Sequence, residues 1–464
     1  MTLTGPITGG HHAWPFAAAA RDVGAFGYIE EEYFLGGTAT PYTAMPGTSL
    51  GRDGRWVVVE DQPRPFRTRL LIRRPVDPAR FNGCVLVCWA NVTAGFEVIE
   101  WESDEALNGY AWAFVSAQHV GLHGFGPDPS PALVAWDPER YGTLHIDHDD
   151  LSYDIFTQAA EAVGPHRPVS DDPADLDPLD GLDVQYVIAV GSSQSAARLA
   201  TYRNAVQPVT EAFDAFLLDV YFGTGAPLGD DLTMRLPADH DLSDPGRTAR
   251  LRAGENFLRT DVAVPTLIFN TECEAVAFSH VRQPDDDFMR LWEVAGASHY
   301  STHTWIAMNV KATRDYGAPF IASVEPGPHV SDLWVQPARD AALHALCAWI
   351  RFGEPPPQQP RLEIDLDDAE VVRDHLGIAR GGIRLPEVEV PVVRYQGTND
   401  LPGLGWLGGS AEPIDMPTLR REYPDRTTYI TRYERAARAA HRDGVLLPGD
   451  RDAMVEIARR RDLW

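Results

Sequence analysis

The sequence predicts an α/β protein built on a mostly parallel central sheet with helices on both faces. Three observations predict it. Short runs such as Cys84–Trp89 and Val184–Val190 are apolar throughout rather than alternating, the pattern of strands buried on both faces. Stretches with helical spacing, such as Ser152–Val163, fall between those runs, and strand–helix alternation of this kind builds parallel sheets. Finally, 464 residues with 44% hydrophobic content suffice for a large core.

The elements follow in order. Gly27–Leu35, Trp56–Val59 and Arg67–Ile72 alternate and are punctuated by Gly and Pro, which reads as antiparallel strands at a sheet edge. Cys84–Trp89 is a buried strand, followed by the loop Asn91–Gly95 and a helix expected through Trp101. Further strands are expected at Tyr110–Val115, Val184–Val190, Phe213–Val220, Val264–Phe269 and Arg290–Val294. A polar insertion, Gly223–Asp261, has the place and length of a lid, though a plain surface excursion would look the same. The helix Pro337–Phe352 stops at Gly353 and the three prolines after Glu354. Residues 354–464 then read as a C-terminal extension packed on a single domain spanning 1–464, with helices near Thr428–Arg442 and Arg451–Arg461.

Lys+Arg 40 against Asp+Glu 67 gives 40 − 67 = −27, which argues against nucleic acid or an anionic membrane as partner. Cys84, Cys88, Cys273 and Cys347 form no CxxC pair and sit in apolar runs, so they read as buried thiols in a reducing compartment. The first residues lack a basic region followed by an apolar core, and no apolar run approaches the roughly 18 residues a membrane span needs. A soluble, cytoplasmic location is the expectation. Oligomeric state leaves no signature.

The stretch that carries chemistry is Asp183–Tyr202. Its period changes from strand to helix within a few residues, and Ser193 sits on the bend, flanked by Gly191 and Ser195. A nucleophile on a sharp strand-to-helix turn needs small neighbours two places away on each side, and the new helix aims its unpaired N–H groups at charge developing beside it. A glycine-serine turn with Ser192 or Ser193 as a helix N-cap uses the same letters. Strand, turn and helix in the required order favour the nucleophile elbow, here in a GxSxS form.

A serine hydroxyl needs an imidazole to take its proton and an acid to orient the imidazole. Both follow in chain order. The strand ending at Phe269 runs into Glu272 and Glu274, and the strand ending at Val294 runs into the small-residue loop that carries His299. Turn geometry favours Glu274 as the acid, with Glu272 close behind. His303 competes with His299, and their spacing of four also suits a metal on a helix; no third ligand motif accompanies them, so no metal is expected. Two backbone N–H groups are needed for an oxyanion hole: Gln194, and Asn91 or Val92 from the loop after the Cys84 strand. Gln118 and His119, at another strand's carboxyl end, are candidate pocket residues; a satisfied core pair is as good a reading.

Five segments, in order along nearly the whole chain, resemble the α/β-hydrolase superfamily and, more narrowly, the bacterial group known only as alpha/beta hydrolase domain-containing proteins. They are Glu30–Leu35 with Gly37–Ala39, Val115–Gly121, the Gly191–Ala196 elbow, Thr271–Glu274 and Glu293–His299. The resemblance implies the α/β-hydrolase fold, Ser193 as nucleophile, His299 as base and an acid within the Glu272–Glu274 pair. The expected activity is that of a cofactor-free serine hydrolase acting on a carboxylic ester or lactone through an acyl-enzyme. An acyltransferase on the same triad is the nearest alternative, and a hydrolase-like binding protein without turnover is another. Epoxide hydrolases and dehalogenases are disfavoured, because they place a carboxylate where this chain has Ser193.

Overall fold

In a computed structural model the residues described are 1–125, 131–167, 176–229, 255–320 and 327–462. They form two compact units. The first comprises the described residues of Met1–Leu236, Thr248–Thr266 and Met308–Phe320; the second comprises those of Leu267–Ala307 and Ile321–Trp464.

The first unit is organised by a large sheet. Its strands are β1 (Thr2–Thr4), β2 (Tyr28–Ala39), β3 (Arg64–Pro75), β4 (Cys84–Trp89), β5 (Ala111–Val115), β6 (Tyr186–Ser192) and β7 (Ala215–Asp219), in the spatial order β1-β2-β3-β5-β4-β6-β7. β2 and β3 are two of the three expected antiparallel edge strands, with β1, which the sequence did not suggest, outside them; the third, expected at Trp56–Val59, lies outside this sheet, where Val58–Glu60 pairs with Tyr42–Ala44, and β5, β4, β6 and β7 run parallel. β4, β5 and β7 are buried along their length and β6 at all but its two end residues, as continuous apolar runs require. Between β5 and β6 the chain forms α1 (Ser152–Val163), whose Phe156 packs on Trp89 of β4 with ring centroids 4.7 Å apart. The thiols of Cys84 and Cys88 lie buried in β4.

The edge carries a second kind of order. Glu30, Glu31 and Glu32 of β2 meet Arg73, Arg74 and Arg69 of β3 at 2.5, 3.1 and 3.3 Å. Arg140 adds a further bond to Glu32 at 2.6 Å. These buried charges are paired and hydrogen-bonded, the condition under which a protein interior tolerates them.

The helix expected after Gly95 is absent. Residues 91–101 instead form an irregular loop closed by an antiparallel bridge between Asn91 and Val98. Gly95 at φ 83° and Trp101 at φ 63° lie in the left-handed region, which no right-handed helix admits. Glu97, between them, is drawn to the Arg69 guanidinium. The expected lid falls largely outside the described residues. The ends that are described are joined by a bridge between Thr224 and Glu255.

The second unit contains the neighbouring strands β8 (Thr266–Thr271, from Leu267 on) and β9 (Met289–Val294). From β8 the chain enters α2 (Glu272–Phe278), and after β9 come α3 (Thr302–Tyr316, of which Met308 onward belongs to the first unit) and α4 (Gln336–Phe352). The C-terminal extension contributes α5 (Arg426–Arg442) and α6 (Pro448–Arg460), burying Tyr429, Tyr433 and Ala437 from one and Met454 and Ala458 from the other. Among the described residues no helix is long and apolar enough to cross a membrane.

Candidate active site

Ser193 follows β6 directly and precedes the helix Gln194–Thr201, with φ 59° and ψ −116°. A non-glycine residue rarely adopts that conformation, and holding it costs about 1–3 kcal/mol. The half-buried Ser193 occupies the N-cap position of that helix but makes no side-chain capping bond to it. Gly191 is required sterically: a Cβ there would stand 2.7 Å from Ser195 O and 3.0 Å from Leu199 Cδ1.

Ser195 does more than stay small. Fully buried, its Oγ donates to Ser192 O at 2.8 Å and accepts from Ser192 N at 3.0 Å, so one hydroxyl ties both backbone groups of the residue before the bend. Three more bonds hold the same turn. Ser193 N donates to Asp219 O at 2.8 Å, Ser192 Oγ to Asp219 Oδ2 at 2.6 Å, and Asn91 Nδ2 to Ser192 O at 2.9 Å. The only sequence signal for Asp219 is an acidic residue ending an otherwise apolar strand.

Gln194 opens the helix, where a backbone N–H has no intrahelical acceptor. Its side chain enters a buried network. Gln118 Oε1 accepts from Trp89 Nε1 at 3.0 Å and from Gln194 Nε2 at 2.9 Å, while Gln118 Nε2 donates to Asp149 Oδ2 at 3.1 Å. Indole only donates and carboxylate only accepts, so both amide orientations are fixed by chemistry. Arg198 pairs with the same Asp149 at 3.1 Å. Gln118 is thus committed to supporting the elbow from behind. His119 donates its backbone N–H to Asp149 Oδ1 at 2.7 Å and sets Nδ1 2.6 Å from Ile146 O. Asn91 spends its amide on Ser192 O and on Thr93 N, at 2.9 Å each; Val92 is buried beside it.

In the second unit His299 Nδ1 lies 2.6 Å from Glu274 Oε1, and neither side chain has any exposed surface. Glu274 Oε2 accepts from Thr271 N and Thr271 Oγ1, each at 2.7 Å, closing a capping box on α2. Burial pushes the Glu274 carboxyl up, but the bonds from His299 and Thr271 outweigh it and hold the group below its ordinary value. An ionised Glu274 requires Nδ1 to carry the proton, leaving Nε2 as the basic nitrogen. Tyr300 stands edge-on to the imidazole at 4.6 Å. His303 is exposed on the first turn of α3.

Glu272 is used differently. It pairs with Arg373 at 2.6 Å and accepts from Gly397 N at 3.1 Å and from Gly296 N at 2.7 Å, clamping the loop that leads to His299. Among the described residues Cys273, Glu274 and His299 bring three ligand-type atoms within 4.8 Å of one another. The Cys273 thiol is pushed well up by burial and by the Glu274 charge beside it.

A strained serine between a parallel strand and a helix, on a sheet with an antiparallel edge, defines an α/β-hydrolase architecture. The chain belongs to the alpha/beta hydrolase domain family, whose model matches residues 3–456. Similar solved structures include esterase Est22, at 14% identity, TM-score 0.32, and coverage of 63% of this chain and 78% of that one. Another is brefeldin A esterase, a bacterial homologue of human hormone-sensitive lipase, at 13% identity, TM-score 0.25, and coverage of 53% and 64%. Acetyl xylan esterase 1 from Thermoanaerobacterium sp. JW/SL YS485 shares 9% identity over 55% of this chain and 81% of its own, at TM-score 0.26. Identities and scores this low say nothing about substrate. No curated protein matches by sequence.

Proposed function

We propose that the protein is a serine hydrolase that cleaves a carboxylic ester or lactone through an acyl-enzyme. Ser193 Oγ attacks the carbonyl and gives its proton to His299 Nε2; the alcohol leaves with that proton, and water then releases the acid by the reverse sequence. Glu274 holds the imidazole in the required tautomer. The oxyanion is held by Gln194 N–H and by the N–H of Asn91 or Val92. The observation that carries the reading is the Ser193 backbone, strained at φ 59° on the bend and buttressed on both sides. The buried His299–Glu274 pair supports it, because it poises one ring nitrogen as a base.

A fluorophosphonate probe tests it. Labelling that maps to Ser193, and loss of about a thousandfold or more in short-chain aryl ester turnover in Ser193→Ala, is the expected result. An unlabelled Ser193 would leave the hydrolase-like binding protein as the surviving reading. Transfer of the acyl group to an added alcohol in preference to water would mark the acyltransferase.

A further inference from the structure

Cys273 takes no part in the proton shuttle, yet it sits against it. It is a buried free thiol on the first turn of α2, between Glu272 and Glu274. Its Sγ, a carboxylate oxygen of Glu274 and a ring nitrogen of His299 all lie within 4.8 Å of one another. Donors bonded to one zinc ion at about 2.0–2.3 Å stand roughly 3–4 Å apart, so the three are near enough to share one.

The surrounding bonds hold this set in place. Cys273 N donates to Thr271 Oγ1 at 3.3 Å, and Thr271 N and Oγ1 both donate to Glu274 Oε2, which leaves Oε1 facing His299 Nδ1 at 2.6 Å. Glu272 ties the imidazole loop to the same turn: its N–H donates to Ala297 O at 3.1 Å, and its carboxylate accepts from Gly296 N at 2.7 Å. The charges also balance. A thiolate and a carboxylate together neutralise a divalent cation, the condition under which a buried site tolerates one. Sulfur and imidazole nitrogen suit zinc, whereas magnesium and calcium prefer oxygen. Without a metal, burial and the Glu274 charge keep the proton on sulfur; a cation in its place removes both causes.

We infer that Cys273, Glu274 and His299 form an inhibitory site for a zinc ion. The ion bonds Sγ, a Glu274 oxygen and His299 Nδ1. As the sulfur–metal bond forms, the thiol proton leaves to water. As the Nδ1–metal bond forms, the Nδ1 proton leaves to water and Nε2 takes one up, so the ring stays neutral and no electron is transferred. The ring then donates from the nitrogen that must accept the Ser193 proton, and turnover stops. The inference rests on the Ser193–His299 reading above and adds a regulator to it.

The site and its effect are tested apart. Cadmium chloride, a zinc stand-in with a thiolate charge-transfer band in the ultraviolet, is titrated into the Ser193→Ala protein. A band is expected, lost on adding Cys273→Ala and kept on adding Cys347→Ser, whose buried thiol lies on α4. Adding His299→Ala is expected to weaken cadmium binding about tenfold or more, the scale on which affinity falls even when an outer partner of a metal ligand is lost. The unfolding midpoint of each variant reports whether the fold is intact. In the native chain zinc chloride is expected to inhibit aryl ester turnover, EDTA to restore it, and Cys273→Ala to raise the inhibition constant about tenfold or more. No band, a band that goes with Cys347 instead of Cys273, cadmium binding indifferent to His299→Ala, or zinc inhibition indifferent to Cys273→Ala overturns the inference. If fluorophosphonate labels Ser193 but no band forms, the inference falls alone. If Ser193 is not labelled, the band still decides the site, and the inhibitory half falls with the hydrolase reading.

Discussion

Replacing Ser195 with glycine converts the elbow to the commoner GxSxG letters, and on motif grounds alone the change should be neutral. The bonds around Ser192 predict otherwise. The fully buried Ser195 hydroxyl donates to Ser192 O at 2.8 Å and accepts from Ser192 N at 3.0 Å. Ser192 O keeps Asn91 Nδ2 as a second partner, so losing that bond costs about 1 kcal/mol, whereas the Ser192 N–H is left buried without this acceptor at about 1–3 kcal/mol. Ser195→Ala should therefore lower unfolding free energy by about 2–4 kcal/mol, and Ser195→Gly by roughly a further 0.5–1, since glycine in a helix adds that much. The strained Ser193 backbone relaxes more readily once the tie is cut, so the fluorophosphonate labelling rate should fall in the same order. Urea unfolding at pH 7 and labelling kinetics measure the two effects. A glycine variant matching the native chain in both would refute the argument that the hydroxyl holds the bend.

Three further outcomes follow from the second unit. Glu274→Gln keeps the shape but not the charge that sets the imidazole tautomer, so ester turnover should fall about 10³–10⁴-fold, as removal of triad charge does elsewhere. Its stability effect should depend on pH. The folded carboxyl lies below its unfolded value, so its contribution is full above the ordinary carboxylate range and is lost as pH falls through the lowered folded value. The stability gap between native and Glu274→Gln protein in urea should narrow from pH 7 towards pH 4; a gap that stays constant contradicts this. Glu272→Gln weakens the Arg373 pair and the bonds to Gly296 and Gly397, so it should cost about 2–3 kcal/mol while turnover falls no more than about tenfold; a larger kinetic loss than Glu274→Gln would exchange the two roles. Glu387 is pushed up to about 7 by burial, and its Oε2 has no hydrogen-bond partner among the described residues. Its neutral form suits the fold, so that stability is present below the ordinary carboxyl range and is lost as pH rises through 7; Glu387→Gln should stabilise by on the order of 2 kcal/mol at pH 8 and by little at pH 5 in parallel urea titrations.

The parts of this architecture that could be read from the sequence are those set by local pattern. Cys84–Trp89 and Ser152–Val163 are found where expected, because burial on both faces or on one face imposes a period the letters display. The loop after β4 could not be read. Its apolar content suits a helix, but its conformation is dictated by Glu97 reaching Arg69 on another strand and by the backbones of Gly95 and Trp101. The pairing of the three successive acids of β2 is likewise hidden until β3 is laid beside them, with Arg73 opposite Glu30 and Arg74 and Arg69 reaching Glu31 and Glu32 diagonally. Contacts between distant segments leave no period in the sequence.

The site shows the same division in a form that bears on how the elbow works. Gly191 and Ser193 were legible because strain at a bend selects small residues at fixed offsets, and the strand glycine at 191 has no room for a Cβ. What holds the strain was illegible: Asp219 from the next strand, Asn91 from the loop after β4, and the Trp89–Gln118–Gln194 chain whose amide orientations follow from Trp89 and Asp149. A strained conformation persists only where its surroundings over-determine it. Here the surroundings are polar bonds reaching from several strands to one pair of residues, which frees the last motif position from being glycine. Ser195 can then be a serine because its hydroxyl joins that set instead of crowding it, and the GxSxS elbow is a different solution to holding the same bend.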